Sequence, residues 1–318
     1  MSEAPPRPRL VRADHGNGGP TTDLSECIDS YVRSLMREGK APGTIKSYLW
    51  ALDDFRRFLA AADVTTTERI TWELLEHWQD ALLRRLGPSS RGIAHAAIRQ
   101  FLRWGEARDI MKPRLSDLVS HVRKRRPRPR PIPFDDLQIL LRYVGPHWPH
   151  MSVVALRNRA LFLYTLTTGA RISEVLQVTR AEIREAVVWQ KGGSEKVLFI
   201  PPACVEAVED YLAVRTDACP WLWVTYDSNR PVRRLAYDGV RAIWQQVAPH
   251  AGVAPFTSHQ LRHTAATELK AARIDDLTIA NFMGHRGTST LPTYVDIRDE
   301  GRLAAINAMQ RLIRPRPA

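Results

Sequence analysis

Apolar positions recur along most of the chain at the three-and-four spacing of amphipathic helices, in blocks punctuated by turn residues. Over 23–37 the apolar face carries Cys27, Ile28, Tyr31, Val32 and Leu35. After Pro42-Gly43 a second helical run carries Tyr48, Leu49, Leu52, Phe55, Phe58 and Leu59, with Thr44 as the expected N-cap. Thr71 caps a third expected helix over 72–86, which Gly87-Pro88 ends, and Ser89 or Ser90 caps a fourth that runs to Trp104-Gly105. These short helices predict a compact all-α domain over 23–120.

From 134 onward the pattern stays mainly helical. Helices are expected over 134–144, through Ala160-Leu161-Phe162-Leu163-Tyr164 to Gly169, and over 204–214, 235–248, 258–272, 276–282 and 301–313. The period changes only at Val187-Val188-Trp189 and Val197-Leu198-Phe199-Ile200, which flank the turn Lys191-Gly192-Gly193-Ser194 and read as a hairpin. The fold class is therefore mainly α with a small β-sheet, and 134–318 forms a second, mixed α/β domain. In its last helix Leu303, Ile306, Met309 and Ile313 form an apolar stripe, suited either to a neighbouring protomer or to the helix's own domain.

Between the domains, residues 121–133 interleave Arg123, Lys124, Arg125, Arg126, Arg128 and Arg130 with Pro127, Pro129, Pro131 and Pro133. The prolines forbid a helix and favour an extended, stiff linker. Six basic residues on such a segment suit a strap across a phosphate backbone, and a solvated spacer is the alternative. Residues 1–22 hold too little apolar surface to fold and are expected to be a disordered tail.

Charge narrows the partner. The 318-residue chain carries a net +12, which implies nucleic acid or an anionic membrane surface. No apolar run approaches the roughly 20 residues of a membrane span, and the N-terminus lacks a signal-peptide core, so the expected partner is nucleic acid. The three cysteines, Cys27, Cys204 and Cys219, are odd in number and lack paired zinc spacing, which predicts a reduced, cytoplasmic protein.

The chemistry-bearing residues lie in the second domain. Gly169 ends an apolar helix and allows a turn that aims Arg171 outward. Ser258 is the expected N-cap of the helix that carries His259 and Arg262, which, three apart, share a face. His263 follows a turn beyond His259, and Gln260 stands where a zinc-protease helix would need its glutamate, so metal binding is not expected. Gly284-His285 and then Tyr294 complete a set comprising a phenol, two guanidinium groups and several imidazoles. Those groups can break a phosphodiester bond without a metal ion.

The order Thr168-Gly169-Ala170-Arg171-Ile172-Ser173-Glu174, His259-x-x-Arg262-His263 and Met283-Gly284-His285 with Tyr294 nine residues on resembles the tyrosine recombinase (phage integrase) family. The resemblance spans about 23–311 and implies a SAM-like four-helix core-binding domain followed by the family's catalytic domain, closed as a clamp around duplex DNA. It implies that Tyr294 is the nucleophile, that Arg171 and Arg262 neutralise the phosphate, that His259 takes the phenolic proton, and that His285 bonds the scissile phosphate. A hairpin lysine then protonates the leaving 5′ oxygen; we assign Lys191, although Gln190 replaces the family's usual glycine and leaves the register with Lys196 open. Asp296 stands where many relatives carry a second histidine. The implied reaction is site-specific strand exchange through a 3′-phosphotyrosyl link and a Holliday junction, with no cofactor, metal or ATP, by a homo-tetramer on two duplexes. The short first segment points to a simple Xer-like or mobile-element enzyme. A type IB-like topoisomerase and a DNA-binding or bridging protein that never cuts are the alternatives.

Overall fold

The computed structural model describes residues 22–123, 129–144, 152–190, 193–227, 229–284 and 299–314. The chain divides into two compact units, residues 1–127 and 128–318. Among the described residues no helix is long and apolar enough to cross a membrane.

The first unit contains α1 (Leu24–Arg37), α2 (Pro42–Ala60), α3 (Trp72–Arg85) and α4 (Pro88–Glu106). Asp23 caps α1 by accepting from the Glu26 amide, and Thr71 caps α3 by accepting from that of Leu74. The starts of α2 and α4 differ from expectation: neither Thr44 nor Ser89 or Ser90 is the cap, because Pro42 and Pro88 occupy the first helical positions. There the proline ring presets φ, and its missing N–H forfeits no helical bond. Leu52, Phe55, Trp78, Ile98 and Phe101 are completely buried, with Phe55 and Trp78 edge to face at 5.1 Å between centroids.

The chain leaves this unit from a fixed point. The buried Arg99 guanidinium donates to the Val119 carbonyl at 2.8 and 3.1 Å and to the Ser120 carbonyl at 2.7 Å. The Gln79 side-chain oxygen accepts from the Ser120 amide at 2.9 Å. The basic segment thus begins from an anchored backbone.

The second unit contains α5 (Phe134–Tyr143), α6 (Val153–Thr168), α7 (Ile172–Val175), β1 (Glu185–Trp189), β2 (Glu195–Phe199), α8 (Pro202–Ala213), β3 (Val224–Asp227), β4 (Arg230–Arg234), α9 (Tyr237–Ala251), α10 (Ser258–Ala271), α11 (Asp276–Met283) and α12 (Asp299–Ile313). The central α6 is buried around nearly its whole circumference and packs against α8, α10, α12 and α7. There are two separate antiparallel hairpins, β1–β2 and β3–β4. The second hairpin is invisible to hydrophobic periodicity because β4, Arg230-Pro231-Val232-Arg233-Arg234, presents no buried face and hence no apolar alternation. In α12, Ala305, Ala308 and Met309 are buried in the unit's own core with residues of α10 and α11, whereas Leu303 is exposed.

Candidate active site

The C-terminus of α6 begins the site. Thr165, Thr167 and Thr168 each donate their hydroxyl to the carbonyl four residues back, at 2.7 to 2.8 Å, which satisfies polar groups in a buried turn. Gly169 then ends the helix in the left-handed region, at φ 54°. A Cβ here would collide with the Met283 sulfur and come within 3.3 Å of the Ala265 Cβ, so glycine is required both for conformation and for space. The turn makes Arg171 the N-cap of α7. Glu174, 1 % exposed, folds back and accepts from the Arg171 amide at 3.0 Å and from its Nη1 at 2.8 Å. A buried carboxylate thus orients the guanidinium and neutralises part of its charge.

The first turn of α10 supplies the next groups. Its cap is Thr257 rather than the following serine: the Thr257 hydroxyl accepts from the Gln260 amide at 3.2 Å, and the Gln260 side chain accepts from the Thr257 amide at 3.1 Å. Gln260 is therefore a capping-box partner. Ser258 serves packing instead, accepting a 2.8 Å bond from the Trp244 indole. Arg262, 4 % exposed, donates Nη1 to the Gly169 carbonyl at 2.7 Å, while its buried Nη2 has no partner among the described residues. Burial and the neighbouring Arg171 hold its pKa down at about 10, so it remains cationic at neutral pH. His259 is exposed, and its ring meets that of the half-buried His263 edge to face at 4.3 Å. Burial, His259 and Arg262 all push the His263 pKa down, which favours a neutral imidazole behind its neighbour.

The hairpin contributes Lys196, which the turn sequence alone ranks behind Lys191. In the β1–β2 register Lys196 lies opposite Val188. Directly paired residues share a face of the sheet, and Val188 is wholly buried, so Lys196 points inward. Its ammonium nitrogen is buried without a hydrogen-bond partner among the described residues. Burial pushes its pKa down to about 7; Glu174 opposes the shift, and Arg262 and Arg171 reinforce it. The charges of both guanidinium groups thus act on this amine. The signal is present in the strand alternation, where Leu198 is inward and Lys196 lies two positions before it.

Gln190 joins this hairpin to α11. Its amide nitrogen donates to the Gly284 carbonyl at 3.2 Å, and its oxygen accepts from the Ser194 hydroxyl at 3.2 Å. Gly284 closes α11 at φ 65°, and a Cβ there would collide with the Gln190 amide and come within 3.0 Å of the Lys196 Cδ. The residue that immediately precedes His285 is thus tied to the strand-to-turn segment that carries the lysines.

Arg171, His259, Arg262, His263 and Met283 line a cavity of about 670 Å³. A second, of about 290 Å³, is lined in part by Thr168, Gln190, Lys196 and Gly284. The structure thus gathers Arg171, His259 and Arg262 from separate parts of the sequence. Lys191, His285, Tyr294 and Asp296 lie outside the described residues. In the basic segment, Arg123 and Arg130 are exposed, and Lys124, Arg125, Arg126 and Arg128 lie outside the described residues.

The model of the phage integrase family matches residues 135–300, and that of the phage integrase N-terminal SAM-like domain matches residues 28–109. The chain belongs to the phage integrase family, the tyrosine recombinases. Among curated members of this family it is similar to tyrosine recombinase XerC of Rhodospirillum centenum, 28 % identical over 301 residues that cover 89 % of this chain and 86 % of the relative. It is also similar to tyrosine recombinase XerA of Thermococcus onnurineus, 24 % identical over 288 residues, with 87 % and 93 % covered. Lambda integrase, solved as a tetramer bound to a Holliday junction, shares the fold at a TM-score of 0.66 and 16 % identity, over 87 % of this chain and 81 % of that one. XerH recombinase, solved on its difH substrate before cleavage, gives a TM-score of 0.60 at 14 % identity, over 91 % and 86 %.

Proposed function

We propose that this tyrosine recombinase performs site-specific strand exchange on duplex DNA, with Tyr294 as nucleophile. The observation that carries the reading is the grouping of Arg171 and Arg262 around the buried Glu174, with the Lys196 amine in the same electrostatic neighbourhood. Two cations with fixed donors and one amine poised near neutral pH are what an in-line phosphoryl transfer needs.

Tyr294 attacks the scissile phosphorus, a P–O bond to the phenolic oxygen forms, and the bond to the 5′ oxygen breaks. The phenolic proton passes to His259, and His285 bonds a non-bridging oxygen. Arg171 and the unpartnered Nη2 of Arg262 stabilise the charge that gathers on those oxygens. Guanidinium is a poor proton donor because its pKa is so high. The leaving 5′ oxygen therefore takes its proton from a hairpin lysine, and the buried setting of Lys196 supports that residue, with Lys191 as the competing donor. The covalent phosphotyrosine conserves the bond energy, so a second strand's 5′ hydroxyl reverses the step without ATP. Repetition on the other strand pair resolves a Holliday junction. By the likeness to lambda integrase, the working form is a homo-tetramer on two duplexes.

The test is a nicked suicide substrate in which the cleaved end diffuses away. Wild type should accumulate a protein–DNA adduct stable to denaturing electrophoresis and formed in excess chelator. Tyr294→Phe should form none while retaining DNA binding. Adduct formation by the variant would sink the nucleophile assignment, and transfer to a partner strand separates recombination from topoisomerase action.

A further inference from the structure

Each polar atom of Gln190, the residue that follows β1, is hydrogen-bonded, and the bonds reach two elements at once. Its backbone N–H donates to the Ser194 carbonyl at 2.8 Å and its carbonyl accepts from the Gly193 amide at 3.1 Å, which closes the hairpin turn. Its side chain leaves the hairpin: Nε2 donates to the Gly284 carbonyl at 3.2 Å, while Oε1 accepts from the Ser194 hydroxyl at 3.2 Å. The preceding residue is held from another side. The Gln177 side-chain oxygen accepts from the Trp189 amide at 2.8 Å, and its amide nitrogen donates to the Trp189 carbonyl at 3.0 Å. Gln177 stands just beyond α7, the helix that Arg171 caps. The end of β1 is thus tied towards α7 by one glutamine and to the end of α11 by the other.

The approach at Gly284 is close. A Cβ there would collide with the Gln190 amide and come within 3.0 Å of the Lys196 Cδ, and Gln190, Lys196 and Gly284 all line the cavity of about 290 Å³. The Gly284 N–H bonds back into α11, to the Asn281 carbonyl at 3.0 Å, whereas its carbonyl belongs to the planar peptide unit that leads to His285. One side-chain amide therefore restrains both how the chain leaves α11 and where the hairpin turn begins. Proton transfer needs donor and acceptor within hydrogen-bond reach, and groups carried on a turn keep such a distance only when neighbouring side chains lock it.

We propose that Gln190 is a positioning residue for strand cleavage: by tying the hairpin to the end of α11, it holds the lysine-bearing turn where its amine can protonate the leaving 5′ oxygen. The inference rests on the hairpin-lysine step proposed above and holds whichever of Lys191 and Lys196 is the donor.

The experiment measures single-turnover cleavage by full-length wild type, Gln190→Met and Ser194→Ala on an ordinary phosphodiester and on its 5′-bridging phosphorothioate, with DNA affinity and thermal unfolding alongside. Methionine keeps the length of the side chain and removes both of its bonds, whereas Ser194→Ala removes only the one inside the hairpin. Gln190→Met should cleave the ordinary substrate about tenfold to a hundredfold more slowly, the scale of a displaced reacting group. On the sulfur substrate, whose leaving group departs unprotonated, it should come within about threefold of wild type. Its DNA affinity should hold, and Ser194→Ala should cleave as wild type does. An equal loss on both substrates overturns the proposal, because the tie then serves the fold or the His285 side of the site and not the proton donor. Wild-type cleavage by Gln190→Met overturns it too, as does a matching, sulfur-rescued loss in Ser194→Ala, which would place the effect inside the hairpin. If Lys191→Ala and Lys196→Ala both lack sulfur rescue, the hairpin-acid step falls and this proposal with it; rescue of either lysine variant without rescue of Gln190→Met removes Gln190 alone.

Discussion

Arg262 donates its Nη1 to the Gly169 carbonyl at 2.7 Å, so the end of α6 sets the direction in which a guanidinium leaves α10. Gly169 reaches that position only in a left-handed conformation, with Met283 against the space where a Cβ would stand. Replacing it with alanine should cost about 1–3 kcal/mol in stability from backbone strain and displacement of Met283. Adduct formation should fall further than the reduced folded fraction explains, because the carbonyl that aims Arg262 moves. Chemical denaturation and single-turnover cleavage of Gly169→Ala, with Met283→Ala added to relieve the collision, measure the two effects; cleavage at the wild-type rate would show that the Gly169 carbonyl does not orient the arginine.

Lys196 makes a prediction about stability that runs against the donor role proposed for it. Its folded pKa, about 7, lies below the ordinary 10.5, so between these values the unfolded chain binds more protons than the native one. Stability from this group therefore rises with pH across that window, and the full burial penalty applies below pH 7. Lys196→Met should consequently melt higher than wild type at pH 6, with the gap narrowing towards pH 10. It should cleave DNA poorly at every pH. A lower melting temperature at pH 6 would show that the ammonium is well solvated or paired in the folded protein.

The hairpin lysines are separable by leaving-group chemistry. A 5′-bridging phosphorothioate expels sulfur, which departs without being protonated. If Lys196 is the donor, Lys196→Ala should be slow on the ordinary phosphodiester and largely rescued on the sulfur substrate. Lys191→Ala should show no such selective recovery. The reverse pattern assigns the proton to Lys191.

How far the site is legible in the sequence depends on whether neighbouring residues or distant ones decide each feature. The break at Gly169 and the shared face of His259 and Arg262 are local, set by helix geometry, and they can be read directly. The cap of α10 is displaced by one residue because Thr257 and Gln260 satisfy each other while Ser258 is taken by Trp244, fourteen residues earlier in the chain. The burial of Lys196 depends on which face of β2 meets the core, and that follows from its pairing with β1 and not from the turn sequence. The β4 strand offers no apolar periodicity at all, since its side chains remain exposed or half-buried and its order comes from pairing with β3. The role of Gln190 is equally hidden. Its partner, the Gly284 carbonyl, is ninety-four positions away, so a departure at one hairpin residue acquires meaning only once α11 is in place.

The basic segment carries the last prediction. It leaves the first unit from a backbone held by Arg99 and Gln79, and Arg123 and Arg130 are both exposed to solvent. An anchored start limits the directions in which a proline-rich chain can run, which favours repeated engagement of phosphates over a freely wandering tail. Replacing Arg123, Lys124, Arg125 and Arg126 with glutamine should weaken binding about equally for the recombination site and for random duplex, because phosphate recognition carries no sequence information. The slope of log affinity against log salt should flatten by roughly 0.9 for each phosphate that is no longer neutralised. Anisotropy titrations over a salt series measure both quantities, and an unaltered slope would identify the segment as a spacer that touches no phosphate.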